Sequence, residues 1–124
     1  MPVLQITSNV AVDNVNTLAK QASSLVADIL GKPESYVMVN INDNAELIFA
    51  GTNDPCAHLV LKSLGLPESE TRTYSEKLCS FIEQQLGISP SRTYIEFINP
   101  ERHMFGWNNG TFSLDIFCHR AHRA

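Results

Sequence analysis

One pattern is written twice along this chain, and that repetition restricts its fold more than any other feature. In the first half, Val3-Leu4-Gln5-Ile6-Thr7 alternates as a short strand, and Asp13 or Asn14 supplies a helix N-cap. Val15, Leu18, Ala19, Ala22, Leu25, Val26, Ile29 and Leu30 then recur at steps of three and four, one apolar stripe on a helix of about four turns. Gly31 is placed to stop that helix in the left-handed conformation, and Pro33 forbids its continuation. A second strand follows over Tyr36-Val37-Met38-Val39-Asn40-Ile41, and Asp43-Asn44 marks a turn. The spacing predicts a short third strand over Glu46-Leu47-Ile48-Phe49-Ala50, closed by Gly51-Thr52-Asn53-Asp54-Pro55.

The second half runs through the same sequence of elements. His58 to Leu64 reads as a strand ending at Gly65. Ser69 or Thr71 to Leu86 reads as a helix with Tyr74, Leu78, Phe81, Ile82 and Leu86 on one side. Gly87 is its stop, and Thr93 to Ile98 is a strand. Gly31 and Gly87 stand 56 positions apart, and two further residues bring Tyr36 opposite Tyr94. Each half is strand–helix–strand, a unit that joins parallel strands by a right-handed crossover with its helix on one sheet face. Two such units predict an α+β, two-layer sandwich: a four-stranded mixed sheet with two antiparallel helices on one face. Val37-Met38-Val39 and Leu59-Val60-Leu61 are apolar at both parities, as in strands covered on both faces, so a homo-oligomer is expected. Leu47-Ile48-Phe49 is the expected edge strand for pairing with a neighbour.

Composition narrows the function classes. The 124 residues carry only 9 Lys+Arg and a net charge of −4, which argues against a phosphate-binding surface for nucleic acid. No apolar run approaches the ~20 residues of a membrane span, and Met1-Pro2-Val3-Leu4-Gln5 lacks the basic and apolar regions of a secretion signal. A cytoplasmic protein is expected. Cys56, Cys79 and Cys118 form no close pair and read as reduced thiols.

Two residues have chemical potential of their own. Pro2 follows the initiator methionine, whose removal before a small residue leaves a secondary amine at the chain start. Such an amine titrates near 7.7–8.0 and becomes a general base when an apolar pocket or a nearby cation depresses its pKa. At about 6 Å and an effective dielectric near 20, one positive charge contributes roughly 2.8 kcal/mol, or about two pKa units. Lys32, between the helix-stopping Gly31 and Pro33, is the candidate cation, although a lysine there equally complements a helix C-terminal dipole.

Together, Met1-Pro2 leading into a strand, Gly31-Lys32-Pro33 followed by Tyr36, Lys62-Ser63-Leu64-Gly65, Arg92-Thr93-Tyr94-Ile95-Glu96-Phe97 and Gly106-Trp107-Asn108-Asn109-Gly110-Thr111-Phe112 resemble the macrophage migration inhibitory factor family of the tautomerase superfamily. The resemblance implies a homotrimer whose sheets form an inner barrel, with an amino-terminal proline as catalytic base at each subunit interface. It assigns Pro2 as the base and Lys32 as the cation for a substrate carboxylate. Ser63 and Leu64 become pocket-lining backbone, Tyr94 a phenol given by a neighbouring subunit, and Tyr36, Trp107 and Phe112 an aromatic rim. It also places Glu96 near the pocket, where an asparagine is usual, and a carboxylate there opposes Lys32. Phe105 is bulkier than is typical and narrows the mouth.

The implied activity is keto–enol tautomerisation (an isomerase reaction) of phenylpyruvate-like or dopachrome-like compounds, without cofactor or metal. The alternative is a non-enzymatic cytokine that binds a protein receptor and keeps an idle pocket; such proteins leave cells without a signal peptide. Cys56-Ala57-His58-Leu59 lacks the Cys-x-x-Cys of the family's mammalian members, so their thiol redox activity is not expected. The resemblance bounds a domain over residues 1–113, with halves of about 1–55 and 56–113, and leaves 114–124 as a C-terminal extension. In that extension Leu114-Asp115-Ile116-Phe117 suits a strand, and Cys118-His119-Arg120-Ala121-His122 reads as a solvated tail rather than a metal site.

Overall fold

The computed structural model describes residues 1–113, so the expectations for 114–124 and for Cys118 lie outside the described residues. Strand β1 (Val3–Ser8) leads to helix α1 (Val15–Leu30), β2 (Met38–Asn42), β3 (Ala57–Lys62), helix α2 (Thr71–Leu86) and β4 (Thr93–Ile98). A small hairpin of β5 (Gly106–Trp107) and β6 (Gly110–Thr111) follows. Its turn residues Asn108 and Asn109 both take positive φ, which asparagine tolerates better than most residues and a tight hairpin requires. The sheet order is β2-β1-β3-β4, with β1 parallel to β2, β3 parallel to β4 and β1 antiparallel to β3. Each helix runs opposite to its own strands, so antiparallel halves make α1 and α2 antiparallel.

The helix signals act as the sequence predicts. The Asn14 side chain accepts a hydrogen bond from the Thr17 amide, and Gly31 closes α1 at φ 62° with its amide on Ala27 and Asp28. Gly87 ends α2 in the same left-handed region. Leu18, Ala22 and Val26 of α1 and Tyr74, Leu78 and Ile82 of α2 are buried. The core gathers most of these with Leu4, Ile6, Leu59, Leu61 and Ile88. At about 25 cal/mol per Å² of apolar surface removed from water, this single face supplies most of the drive to fold.

The repeat is more regular than the sequence alone suggests. Helices Val15–Leu30 and Thr71–Leu86, their buried triplets, and the 3₁₀ turns Glu34–Tyr36 and Pro90–Arg92 are all 56 positions apart. The inward-facing Val39 and Ile41 of β2 match Ile95 and Phe97 of β4 at the same offset. No two-residue insertion intervenes. Tyr36 therefore corresponds to Arg92, and Met38, not Tyr36, corresponds to Tyr94.

Two further expectations change. Residues 46–50 form no strand in the protomer. Asn44, Ala50 and Gly51 take positive φ, and Phe49 and Thr52 pair amide to carbonyl across a tight turn, so the β-prone Leu47-Ile48-Phe49 closes on itself. The strands are also not apolar on both faces throughout. On the face away from the helices, the row Asn40–Gln5–Val60–Glu96 is mostly polar, while Met38, Tyr94 and Ile98 leave apolar surface uncovered. Among the described residues, no helix is long and apolar enough to cross a membrane.

Candidate functional site

The topology collects four chain segments at one end of the sheet. Strands β1 and β2 begin there, and the antiparallel β3 ends there beside the end of β4: Val3 pairs with Met38 and with Lys62, and Lys62 pairs with Ile98. Parallel strands joined by a crossover helix have adjacent starts, so Pro2, ahead of β1, and the Lys32–Tyr36 segment, ahead of β2, become neighbours although 30 residues separate Pro2 and Lys32 in sequence. The Met38 amide donates to the Pro2 carbonyl at 3.0 Å, pinning the chain start to β2, and the Pro2 ring is fully buried.

A cavity of about 310 Å³ opens here, lined by Met1, Lys32, Pro33, Tyr36, Leu64, Arg102, Trp107 and Phe112. A second, of about 410 Å³, shares Met1, Tyr36 and Trp107 with it and adds Pro2, Met38 and Phe105 among its walls. The Lys32 ammonium donates to the Leu64 carbonyl at 3.1 Å, which anchors its charge at the cavity floor. Trp107 and Phe112 stack with ring centroids 5.9 Å apart at 19°, and Phe105 packs edge-on to Phe112 at 5.8 Å. The rim is therefore a flat, largely apolar wall that suits another planar ring.

The electrostatics favour a neutral amine. The amino group of Met1 is held below its ordinary value, first by desolvation, then by the charges of Lys32 and of Arg102. Both kinds of cause disfavour the protonated form. A basic nitrogen next to fixed cations and an aromatic wall is equipped to take a proton from an anionic, planar molecule.

The residues expected from the sequence divide into two groups. Lys32, Leu64, Tyr36, Trp107 and Phe112 line the first cavity, Pro2 lines the second, and Ser63 is buried directly before Leu64. Tyr94 and Glu96 stand apart from both cavities. Tyr94 is 65% exposed, with its ring edge-on to Phe49 at 4.9 Å, and Glu96 pairs with His58 at 2.6 Å. Arg102 was not anticipated. It sits on a short 3₁₀ turn after β4, where neither periodicity nor a motif marks it, and only the folded loop brings it to a cavity that also holds Met1. Cys56 and Cys79 are free thiols, and no cluster of three metal-capable side chains forms among the described residues.

A family model described as macrophage migration inhibitory factor (MIF) matches residues 1–113. The macrophage migration inhibitory factor homolog of Brugia malayi is 38% identical over 114 residues, covering 90% of this chain and 99% of that protein. The mouse macrophage migration inhibitory factor is 34% identical over 115 residues, covering 91% of this chain and all of that protein. In three dimensions the chain is similar to the macrophage migration inhibitory factor homologue from Prochlorococcus marinus, with a TM-score of 0.85 and 39% identity over 90% of this chain and 99% of that one. The corresponding structure from Trichinella spiralis gives 0.84 and 37%, over 89% of this chain and 99% of that one. The sheet, the paired helices and these matches lead to one conclusion: the chain belongs to the macrophage migration inhibitory factor family.

Proposed function

We propose that this protein is a keto–enol tautomerase of aromatic 2-oxo acids, with Pro2 as general base once Met1 has been removed. The observation that carries the reading is a chain start beside a cavity that holds two cations and a stacked aromatic wall. While Met1 is attached, the Pro2 nitrogen is a tertiary amide without a basic lone pair. Removing Met1 makes it a secondary amine one residue from the place where burial, Lys32 and Arg102 lower the Met1 amine.

The reaction then needs three acts. The Pro2 nitrogen takes the proton from the carbon next to the ketone. The released electron pair forms the carbon–carbon double bond and moves the carbonyl electrons onto oxygen, which receives the proton from the Pro2 ammonium, giving the enol and restoring the neutral base. The Lys32 ammonium, fixed at Leu64, pairs with the substrate carboxylate, and the rim of Tyr36, Trp107 and Phe112 takes the ring. The phenol of Tyr94 is proposed to reach the carbonyl oxygen of a substrate held by a neighbouring subunit, donating as charge develops there. That role fits its exposure and its distance from its own protomer's cavity. A homotrimer follows as part of the proposal, and the uncovered Met38, Tyr94 and Ile98 of the outer sheet face support it. Residues 1–113 make up the catalytic domain in this reading, and 114–124 an extension to it.

Ketonisation of enol-phenylpyruvate, followed by absorbance with protein whose intact mass shows loss of Met1, tests the reading. The expected result is a rate well above buffer that falls about 10²- to 10⁴-fold in Pro2→Gly. A rate at background, or one unchanged in Pro2→Gly, overturns it. The second reading, a cytokine with an idle pocket that acts on a receptor and leaves cells without a signal peptide, is supported by the chain's membership of the macrophage migration inhibitory factor family. Retention of Met1 in protein recovered from its natural source, with receptor binding undiminished in Pro2→Gly, establishes that reading instead.

A further inference from the structure

On the sheet face away from the helices, the His58 imidazole and the Glu96 carboxylate meet at 2.6 Å, Nε2 to Oε2. The strand register sets them beside Tyr94. His58 of β3 stands opposite Tyr94 of β4, and Glu96 follows Tyr94 by two residues on the same face, about 7 Å further along the strand. His58 therefore reaches diagonally past Tyr94 to Glu96, and phenol, imidazole and carboxylate form one exposed patch. The patch lies at the end of the sheet where His58 pairs with Thr7, whereas the protomer's own cavity lies at the other end, where Lys62 pairs with Val3.

One proton decides the charge of this patch. Nε2 faces the carboxylate, so the ring donates to Glu96 whether or not Nδ1 also holds a proton. With both nitrogens protonated the pair is neutral, and with one it carries a full negative charge. Histidine is the side chain that makes this change between about pH 5 and 8. Few other charges face the pair among the described residues. Strands β1 and β2 contain no titratable side chain, β3 adds Lys62 four residues along, and β4 adds the Tyr94 phenol. Of the loops at this end, Arg92 donates to the carbonyls of Thr52, Asp54 and Pro55, the Asp43 carboxylate accepts from the Val12 amide, and that of Asp54 accepts from the Thr52 hydroxyl.

A neighbouring subunit's substrate that Tyr94 reaches is also approached by Glu96 and His58, which share its face of the sheet. That substrate is a carboxylate, so a negative patch repels it and a neutral one does not. We propose that His58 is a positioning residue for the reaction: it fixes Glu96 and sets the charge of the pair, admitting an anionic substrate to the adjoining site when protonated and disfavouring it when neutral. This rests on the tautomerase and trimer reading. It makes affinity for anionic substrates fall as pH rises, against the gain in rate as Pro2 loses its proton.

Steady-state kinetics with phenylpyruvate at about pH 5.5 and about pH 8.5, at low salt, test it. The native KM should rise about threefold across that interval, beyond any part due to Pro2, which is common to every variant. His58→Gln keeps a hydrogen-bond donor without a charge and should show the raised KM at both pH values, with a smaller change in kcat. Adding Glu96→Gln to His58→Gln should restore the low KM at both. Trp107, the protein's single tryptophan, stands in the cavity wall, so its fluorescence gives the same comparison without turnover. Phenylacetate binding should follow the KM pattern, and that of phenylacetamide, its uncharged counterpart, should not. Both substituted side chains are exposed, and the native pH series needs no variant at all. A His58→Gln protein with the native KM at the lower pH, a double variant that stays weak, or phenylacetamide binding that tracks phenylacetate overturns the proposal. The binding pattern without enol turnover defeats the tautomerase reading alone, and turnover without the pattern defeats this inference alone.

Discussion

The two halves of the molecule share helices, turns and strand polarity at a constant spacing, yet only the first half's helix-to-strand join lines the candidate cavity, and the contrast locates the reason. After Gly31 the first half places Lys32, whose ammonium reaches into a cavity; after Gly87 the second half places Ile88, which is wholly buried in the core. Where the first half sets Tyr36 in a cavity wall, the second sets Arg92, which clamps a loop instead. The Arg92 guanidinium donates to the carbonyls of Pro55 and Asp54 at 2.9 and 3.0 Å, and it lies 5.0 Å over the Phe49 ring. The underlying difference is the chain itself. Beside the first join, Met1 and Pro2 line a cavity, whereas beside the second, the loop ahead of β3 takes the hydrogen bonds of Arg92. A duplicated scaffold thus offers two equivalent corners, and the proposed chemistry sits at the open corner, where Met1 and Pro2 line a cavity.

The sharpest way to break this contrast is to close the open end. Inserting one alanine between Met1 and Pro2 acylates the proline nitrogen whatever the processing at residue 1. Enol-phenylpyruvate ketonisation should then fall by about 10²-fold or more, with the thermal midpoint nearly unchanged. Undiminished turnover would show that the open corner is not where the chemistry happens.

The equivalent positions Lys32 and Ile88 should then separate function from stability. Ile88→Ala leaves a cavity in the core and is expected to cost about 2–4 kcal/mol in denaturant unfolding. Lys32→Ala loses one side-chain hydrogen bond at a partly exposed site and should cost about 1 kcal/mol or less, while lowering kcat/KM for a 2-oxo acid at least tenfold. If the two substitutions cost the same stability, the halves differ less than the burial of Ile88 implies. At the next matched pair, Arg92→Ala should cost about 1–2 kcal/mol and speed amide hydrogen exchange in residues 52–54, because the clamp's hydrogen bonds all end on that loop. Tyr36→Ala should leave stability within about 0.5 kcal/mol and weaken ring binding instead.

The same contrast explains what the sequence made legible. Both helices and their stops were readable because an apolar stripe at a 3.6 period followed by glycine leaves few alternatives. Pro2 and Lys32 were readable as chemistry, and parallel pairing made them neighbours. The third strand was misread because Leu47-Ile48-Phe49 has strand composition, while positive φ at Ala50 and Gly51 folds the backbone onto Thr52. Arg102 escaped notice because it belongs to no periodic element and is recruited across about a hundred residues by the loop after β4. Tyr94 and Glu96 were marked as site residues only by the family resemblance, and Glu96's partner, His58, follows only from the β3–β4 register.

The smallest expected effect concerns protons at the open corner. The Met1 amino group titrates below its ordinary value in the folded chain, through burial first and then through Lys32 and Arg102. In the unfolded chain it returns to the usual 7.7–8.0. Between the lowered folded pKa and that range the unfolded state binds more protons, so this group makes stability rise with pH there. Its full penalty is present below the folded pKa and is gone above about 8. The amine is partly exposed and screened, so the expected signal is a small shift in urea midpoint, resolved by comparison with amino-terminally acetylated protein, which lacks the titrating group. Lys32→Gln removes one cause of the shift, raises the folded pKa and so narrows the window from its lower side. In protein that retains Met1, a pH dependence identical with and without acetylation would mean that the Met1 amine does not feel Lys32 and Arg102, and the argument for a lowered amine at this corner would fall.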